Sequence, residues 1–154
     1  MINLKPVKNP MPEQDPQVRA RNFEEVAEGY TPEMAINEAI RCLKCRTKPC
    51  TGGCPVMVRI PEFVAKVAEG EFEEAYQIIA GTNSLPRICG RVCPQGNQCE
   101  GVCVRGVKGE PVSIGRLERF VSDWHAEHEE ESEEICEYSD AERAVEGKGK
   151  KVAV

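Results

Sequence analysis

Eight of the nine cysteines lie between positions 42 and 103, in two groups of four. The first group is Cys42, Cys45, Cys50 and Cys54, with two, four and three residues between successive cysteines. The second group is Cys89, Cys93, Cys99 and Cys103, with three, five and three residues between successive cysteines. Thiolates grouped four at a time are typical ligands of iron–sulfur clusters. The spacing therefore predicts two clusters, around which the rest of the chain has to fold.

The order of the cysteines also predicts that the two groups share their clusters. A proline follows Cys54, and in two-cluster ferredoxins the cysteine before such a proline binds the other cluster. We therefore expect Cys42, Cys45 and Cys50 to surround one cluster, completed by a ligand from the second group. Cys54 would bind the second cluster. Bound metal would replace part of a conventional core, because metal-binding free energy becomes folding free energy.

Zinc and disulfide bonds are the alternative explanations of these cysteines. Structural zinc sites usually pair two short Cys-x2–4-Cys knuckles, whereas Cys42 and Cys45 are the only two here that just two residues separate. An odd number of cysteines and a reducing cytoplasm oppose a disulfide framework. The ninth cysteine, Cys136, lies in a glutamate-rich segment and is expected to be an unligated thiol. The cysteine spacing alone therefore does not exclude zinc as the bound metal.

Composition argues against two other classes of function. The net charge of −6 opposes nonspecific nucleic-acid binding, which needs a basic surface. No apolar run reaches the length of a membrane span, and the first residues lack the apolar stretch of a signal peptide. We therefore expect a cytoplasmic protein. No Ser/His/Asp or Cys/His arrangement points to bond-making catalysis.

Capping residues and helical periodicity predict a mostly α fold. Asp15 and Pro16 are suited to begin a first helix, with a modest apolar side made of Val18, Phe23, Val26 and Ala27. Thr31 and Pro32 are suited to begin a second helix in the same way. That helix would end at the first cysteines, before a loop at residues 52–53.

Three further helices are expected after this loop. One begins at Pro61 and another near Glu71, with Gly70 between them, and the last begins after a capping Ser113. Their inward-facing side chains recur every three or four residues: Phe63, Val64 and Val67, then Phe72, Ala75, Ile78 and Ile79, and finally Ile114, Leu117, Val121 and Trp124. The first two of these helices would bring the two cysteine groups together.

These elements divide the chain into three parts. Residues 1–15 are rich in proline and predict an extended N-terminal arm, and residues 16–128 form the helical iron–sulfur domain. Residues 129–154 begin as an acidic linker. They end in Lys151-Val152-Ala153-Val154, which we expect to start a further domain beyond this chain.

The cysteine-rich stretch resembles a known family. It is similar to the N-terminal cluster domain of glutamate synthase small (beta) subunits in the runs Arg41-Cys42-Leu43-Lys44-Cys45, Cys89-Gly90-Arg91-Val92-Cys93-Pro94 and Cys99-Glu100-Gly101-Val102-Cys103. The same module occurs in dihydropyrimidine dehydrogenase and in the large subunit of NADH-dependent ferredoxin:NADP oxidoreductase. The resemblance covers roughly residues 22–124. It implies an α-helical ferredoxin-like fold that holds two 4Fe–4S clusters.

The resemblance further implies which residues bind each cluster. One cluster would be bound by Cys42, Cys45, Cys50 and Cys103, and the other by Cys54, Cys93, Cys99 and Glu118. Dihydropyrimidine dehydrogenase has a glutamine at the position of Glu118, and Cys89 would bind neither cluster. Without the resemblance, Cys89 is the preferred fourth ligand of the second cluster. Glu118 is a candidate because it lies beside the apolar stripe of the last helix, where a buried carboxylate needs a partner.

A role within a larger oxidoreductase follows from the same resemblance. Such domains relay single electrons from FAD, which NAD(P)H reduces in a following Rossmann domain, through the clusters to a partner subunit. A glutamate synthase small subunit, with the large subunit as its partner, is the first expectation. An electron-bifurcating ferredoxin:NADP oxidoreductase large subunit is the alternative of the same class, and a zinc-stapled protein-interaction module is the alternative of a different class. This domain alone would not be catalytic, and neither nucleic acid nor a membrane is an expected partner.

Basic residues are numerous near the predicted ligands: Lys44, Arg46, Lys48, Arg91, Arg105 and Arg116. Cations close to a cluster would stabilise its reduced, more negative form. Ordinary solubilising surface charge is the competing explanation of the same residues.

Overall fold

The computed structural model describes residues 3–129, whose regular secondary structure is almost entirely helical, as predicted. The α-helices, in chain order, are α1 (Pro16–Arg19), α2 (Pro32–Ala39), α3 (Pro49–Gly52), α4 (Ile60–Glu69), α5 (Phe72–Ala80), α6 (Pro86–Val92) and α7 (Ile114–His128). Two 3-10 turns, Gln95–Asn97 and Val104–Val107, lie between α6 and α7. Within residues 3–129, β pairing is limited to one isolated bridge between Glu13 and Ala27. The mostly α fold class is confirmed.

Helix α1 begins where predicted but is much shorter than its apolar pattern indicates. The carboxylate of Asp15 accepts a hydrogen bond from the backbone N–H of Gln17 at 2.8 Å, so the predicted cap is present. The helix stops after four residues. Just beyond it, the Asn22 side chain accepts a bond from the N–H of Glu24 at 3.0 Å, and such local bonds compete with a helix. The predicted apolar side is therefore wrong, since Phe23 is fully exposed.

Helix α2 carries the chain to the first cysteines. The hydroxyl of Thr31 accepts a bond from the N–H of Met34 at 3.3 Å, as predicted for a capping residue. The helix ends at Ala39, and the N–H of Cys42 donates to the carbonyl of Ala39 at 3.0 Å. Cys42 therefore lies in the turn that follows the helix. The loop predicted at residues 52–53 is instead the end of the short helix α3.

The core lies among α4, α5 and α7, on the faces that periodicity predicts. Most of the predicted inward-facing side chains are buried: Phe63, Val64, Val67, Ala75, Ile79, Ile114, Leu117 and Val121. Phe72, Ile78 and Trp124 are half-buried at the edge of this core. The ring of Phe72 meets that of Phe120 edge-on, with 4.9 Å between centroids, an arrangement that aromatic pairs favour. Gly70 separates α4 from α5 with φ at 83°, a conformation that suits glycine.

Helix α6, which carries Cys89, is not predicted by the sequence. It packs against α7 at Gly90, where a Cβ atom would lie 2.7 Å from the backbone of Arg119. Glycine is therefore required for this close approach of two backbones. Ser113 stands at the predicted start of α7, but its hydroxyl accepts no hydrogen bond from the backbone N–H groups of the first turn. Its buried hydroxyl has no hydrogen-bond partner within residues 3–129, so the predicted capping role is wrong.

Residues 3–15 are extended and hydrogen-bonded to the helical part of the chain. The N–H of Asn3 donates to the carbonyl of Ile40 at 3.1 Å, and the N–H of Glu110 donates to the carbonyl of Pro6 at 2.7 Å. In the described residues, no helix is both long enough and apolar enough to cross a membrane. The acidic linker after residue 129, the expected start of a further domain at residues 151–154, and Cys136 lie outside the described residues.

A buried ion pair joins this arm to the rest of the fold. Glu38 and Arg41 bond to each other, and both side chains are 0% exposed. Glu38 also accepts from the N–H groups of Asn9, at 2.8 Å, and Ser113, at 2.9 Å. Arg41 donates to the carbonyls of Lys5, Pro6, Glu110 and Pro111. The pair therefore connects α2, the arm and the segment before α7.

Candidate iron–sulfur centres

One small cavity is lined by the four predicted ligands of the first cluster, Cys42, Cys45, Cys50 and Cys103. Arg105 and five apolar residues complete its wall, the latter being Leu43, Pro49, Pro61, Val104 and Val112. The first two cysteines follow α2, Cys50 lies in α3, and Cys103 comes from the far end of the second group, directly before a 3-10 turn. The fold thus brings cysteines of both groups to one place.

These thiols are close enough to influence one another's ionisation. Burial raises the pKa of Cys50 to about 11, and the neighbouring Cys103 and Cys42 contribute to the rise. Burial also raises the pKa of Cys42, and Cys103 and Cys45 act in the same direction. Several thiolates crowded into an apolar wall repel one another, and a bound metal group supplies the compensating positive charge. The donor set therefore fits a 4Fe–4S cluster.

The predicted ligands of the second cluster also lie near one another. Burial raises the pKa of Cys93 to about 11, and Cys89, Glu118 and Cys54 contribute to the rise. Burial likewise raises the pKa of Cys99 to about 12, with Cys54 and Glu118 among the contributing neighbours. Cys54, Cys93, Cys99 and Glu118 thus form a second group of donors. Cys89 lies beside Cys93 in the same group.

Glu118 is a half-buried carboxylate on α7 that faces these thiols. Burial raises its pKa to about 7, and a hydrogen bond from Asn83 partly opposes the rise. The Asn83 side-chain N–H donates to Oε1 of Glu118 at 2.8 Å. Oδ1 of Asn83 lies 3.6 Å from the sulfur of Cys89. Sequence analysis missed Asn83, because a single asparagine in a turn has no distinguishing pattern.

A mononuclear metal site would need its ligands to converge on one point. Across residues 3–129, no three His, Cys, Asp or Glu side chains are close enough together to hold a single metal ion. A 4Fe–4S cluster makes no such demand, because each of its ligands binds a different iron. The two donor groups are therefore compatible with clusters although neither is arranged around one point.

The backbone around the first cysteines adopts an uncommon conformation. Lys44, Lys48 and Met57 have φ of 49°, 45° and 55°, in the left-handed region that residues other than glycine rarely occupy. Within residues 3–129, every positive-φ residue that is not glycine falls in this short stretch. Such strained residues concentrate at functional sites, where the surrounding structure over-determines them. The turns that present Cys42 to Cys54 are therefore closely constrained.

Two of the predicted basic residues act on the first group of thiols. Arg105 lines the cavity, and Lys44 opposes the effect of burial on the pKa of Cys42. Arg91 is instead engaged by two carboxylates, those of Glu25 at 2.9 Å and Asp123 at 2.8 Å. Arg105 and Lys44 therefore lie near the first group of thiols, whereas Arg91 takes part in an ion-pair network.

Comparison with known proteins finds a matching family and several similar proteins. Residues 19–130 match the family described as dihydropyrimidine dehydrogenase domain II, 4Fe-4S cluster. The glutamate synthase [NADPH] small chain of Halomonas elongata is 42% identical over 113 residues, which are 73% of this chain and 24% of that protein. The NAD-dependent dihydropyrimidine dehydrogenase subunit PreT of Escherichia coli O157:H7 is 37% identical over 102 residues, 66% of this chain and 25% of that protein. The chain spans about a quarter of the length of these curated relatives.

Proposed function

Because the chain belongs to the dihydropyrimidine dehydrogenase domain II, 4Fe-4S cluster family, we propose that residues 16–128 are the electron-transfer domain of a larger oxidoreductase. The observation that carries the proposal is the cavity lined by Cys42, Cys45, Cys50 and Cys103. Its cysteines come from both groups, as expected if the ligands are exchanged between the two halves of the chain.

The ligands that we propose are those implied by the family resemblance. Cys42, Cys45, Cys50 and Cys103 bind one 4Fe–4S cluster, and Cys54, Cys93, Cys99 and Glu118 bind the other. The mutual effects of these thiols on their pKa values support the grouping. Cys89 lies beside Cys93 but contacts Asn83, and we propose that it binds neither cluster.

The chemistry that a bound 4Fe–4S cluster supplies is the gain and loss of one electron at a time. The residues of this chain hold and insulate it. The thiols must lose their protons to become ligands, and burial raises the pKa of Cys50 and Cys99 to about 11 and about 12. Loading therefore releases protons. Leu43, Val104 and Val112 contribute apolar side chains to the wall of the first cavity.

The enzyme that this domain serves is proposed from its relatives. We propose a glutamate synthase small subunit that receives electrons from NAD(P)H through FAD, bound in a further domain, and delivers them to a large subunit. The 42% identity to a glutamate synthase [NADPH] small chain supports this choice. A dihydropyrimidine dehydrogenase subunit is a second candidate, because a relative of that name is 37% identical.

Metal analysis of protein purified without oxygen tests the proposal. The proposed function predicts about eight iron atoms and about eight sulfides per chain, a brown colour and an EPR signal after reduction. Zinc at similar occupancy, with no sulfide, would refute it and favour the zinc-stapled module.

Two substitutions then test the ligands of the second cluster. Glu118→Ala should change the EPR spectrum and midpoint potential of one cluster and leave the other as it was. Cys89→Ser should retain both clusters. The opposite result, a cluster lost in Cys89→Ser and no change in Glu118→Ala, would make Cys89 the ligand.

A further inference from the structure

Asn83 is a buried polar side chain that connects the two competing candidates for the last ligand of the second cluster. It lies between α5 and α6 and is 6% exposed. Its side-chain N–H donates to Oε1 of Glu118 at 2.8 Å. Its Oδ1 lies 3.6 Å from the sulfur of Cys89 and 3.0 Å from the backbone nitrogen of Leu85. One amide thus contacts a carboxylate, a thiol and the backbone.

The contact with the backbone fixes which way the amide points. A backbone N–H can only donate, so the atom of Asn83 that faces Leu85 must be the oxygen. The nitrogen is then the atom that faces Glu118, and it can only donate to the carboxylate. The orientation therefore follows from hydrogen-bond chemistry and not from an arbitrary choice between the two ends of the amide.

The same geometry bears on the role of Cys89. Oδ1 of Asn83 is an acceptor, and the thiol of Cys89, whose sulfur lies 3.6 Å away, can donate to it. A thiolate bound to iron would have no hydrogen to give and would face a carbonyl oxygen with like charge. The position of Cys89 beside this oxygen suits a donor and opposes a ligand.

We propose that Asn83 is a positioning residue for the second cluster. It holds one oxygen of Glu118 and leaves the other available to iron, and Cys89 acts through Asn83 as a hydrogen-bond donor. This inference rests on the proposed role of Glu118 as a ligand. A glutamate side chain has several rotatable bonds, and a partner that restricts them raises the affinity of the ligand for metal. Loss of such a partner typically costs 10–100-fold in affinity or activity.

The test uses the full chain loaded with iron and sulfide without oxygen. Asn83→Asp keeps an oxygen toward Leu85 and Cys89, replaces the donor that faces Glu118 by an oxygen, and places two carboxylates together. We expect one of the two clusters to lose iron to a chelator about tenfold faster than in the wild type. The EPR spectrum of that cluster should change, and the other cluster should keep its rate and spectrum.

An exposed pair of the same chemistry provides the matched control. The side-chain N–H of Gln77 donates to Glu73 at 2.7 Å on the surface of α5. Gln77→Glu makes the same amide-to-carboxylate change there and should leave both release rates at the wild-type value. Far-ultraviolet circular dichroism of each loaded variant checks that the helices are retained.

Substitutions of Cys89 keep the inference testable if Asn83→Asp does not fold. Cys89→Ser retains a donor for Asn83, whereas Cys89→Ala does not, so the alanine variant should lose iron from one cluster faster than the serine variant. Equal rates in these two variants would overturn the role given to Cys89.

The outcomes separate this inference from the proposed function. If Glu118→Ala accelerates loss of one cluster and Asn83→Asp does not, the positioning role is refuted and the proposed function stands. If Glu118→Ala has no effect, the ligand assignment and the positioning role are both refuted. If the wild-type chain binds no iron and sulfide, the proposed function itself is refuted.

Discussion

Glu38→Gln removes one charge of a wholly buried ion pair and should destabilise the domain strongly. Both Glu38 and Arg41 are 0% exposed, so the guanidinium would stay in the interior without a carboxylate. Removing one partner of a buried pair costs about 3–5 kcal/mol. Glu38 uses one oxygen for the N–H of Asn9 and the other for that of Ser113. Glutamine has one oxygen, so a further hydrogen bond is lost, at about 1 kcal/mol.

The combined loss of about 4–6 kcal/mol is a large part of the 5–15 kcal/mol by which domains are typically stable. For a urea dependence of about 2 kcal/mol per molar, it lowers the denaturation midpoint by about 2–3 M. Midpoints are compared in cluster-loaded protein without oxygen, by circular dichroism and by the fluorescence of the single tryptophan.

A surface pair supplies the control for this measurement. Lys66 and Glu74 form an ion pair whose side chains are 34% and 58% exposed, and exposed pairs contribute about 0.2–1 kcal/mol. Glu74→Gln should therefore shift the midpoint by less than about 0.5 M. If Glu38→Gln shifted the midpoint no further than Glu74→Gln, the buried pair of Glu38 and Arg41 would not hold the fold together.

Three further predictions concern the close helix contact, an ion-pair network and the metal. Gly90→Ala should lower the melting temperature, because the added Cβ would lie 2.7 Å from the backbone of Arg119 and overpacking costs about 1–3 kcal/mol. Gly96→Ala is the control, because a Cβ there would have no other atom within 4 Å. Equal melting temperatures of the two variants would contradict the close contact at Gly90. Asp123→Asn should destabilise the domain by about 1–2 kcal/mol at pH 7 and by less at pH 3 in urea titrations. Burial opposes the charge of Asp123, but the hydrogen bonds from Arg91, Arg87 and Arg119 and the charge of Arg91 together outweigh it, so the pKa of Asp123 lies below its usual value. This stability is therefore present above the ordinary pKa and is lost as pH falls through the folded pKa; an equal effect at both pH values would refute it. Removal of iron by a chelator should lower the melting temperature, because metal binding contributes to folding, and an unchanged melting curve would exclude a structural role for the metal.

The parts of the fold that could be predicted are those determined by local sequence. Helices α4 and α7 bury the residues that their periodicity indicates, such as Phe63 and Leu117. Helix α6 has no such inward stripe. Its large apolar residues point outward, with Ile88 and Val92 53% and 71% exposed, and it is held instead by the backbone contact at Gly90. Periodicity cannot indicate a helix whose packing depends on the absence of a side chain.

The candidate site likewise has residues that the local sequence predicts and residues that it does not. The spacing of the cysteines predicts donors for clusters, and Cys42 and Cys103 do line one cavity. The contact between Asn83 and Glu118 joins residues far apart in the chain, and it exists because α6 packs against α7. The buried Arg41 is similar, since its carbonyl partners come from the arm and from the segment before α7. Side chains whose partners are set by tertiary packing leave no local pattern.

The first cavity takes three of its cysteines from the early part of the chain and the fourth, Cys103, from much later. During synthesis, Cys42, Cys45 and Cys50 leave the ribosome well before Cys103 has been made. If these four cysteines bind one cluster, as we propose, that cluster can assemble only after nearly all of the described domain has emerged. Two separately produced halves would then each lack a complete set of donors, so the domain would be indivisible as a unit of assembly.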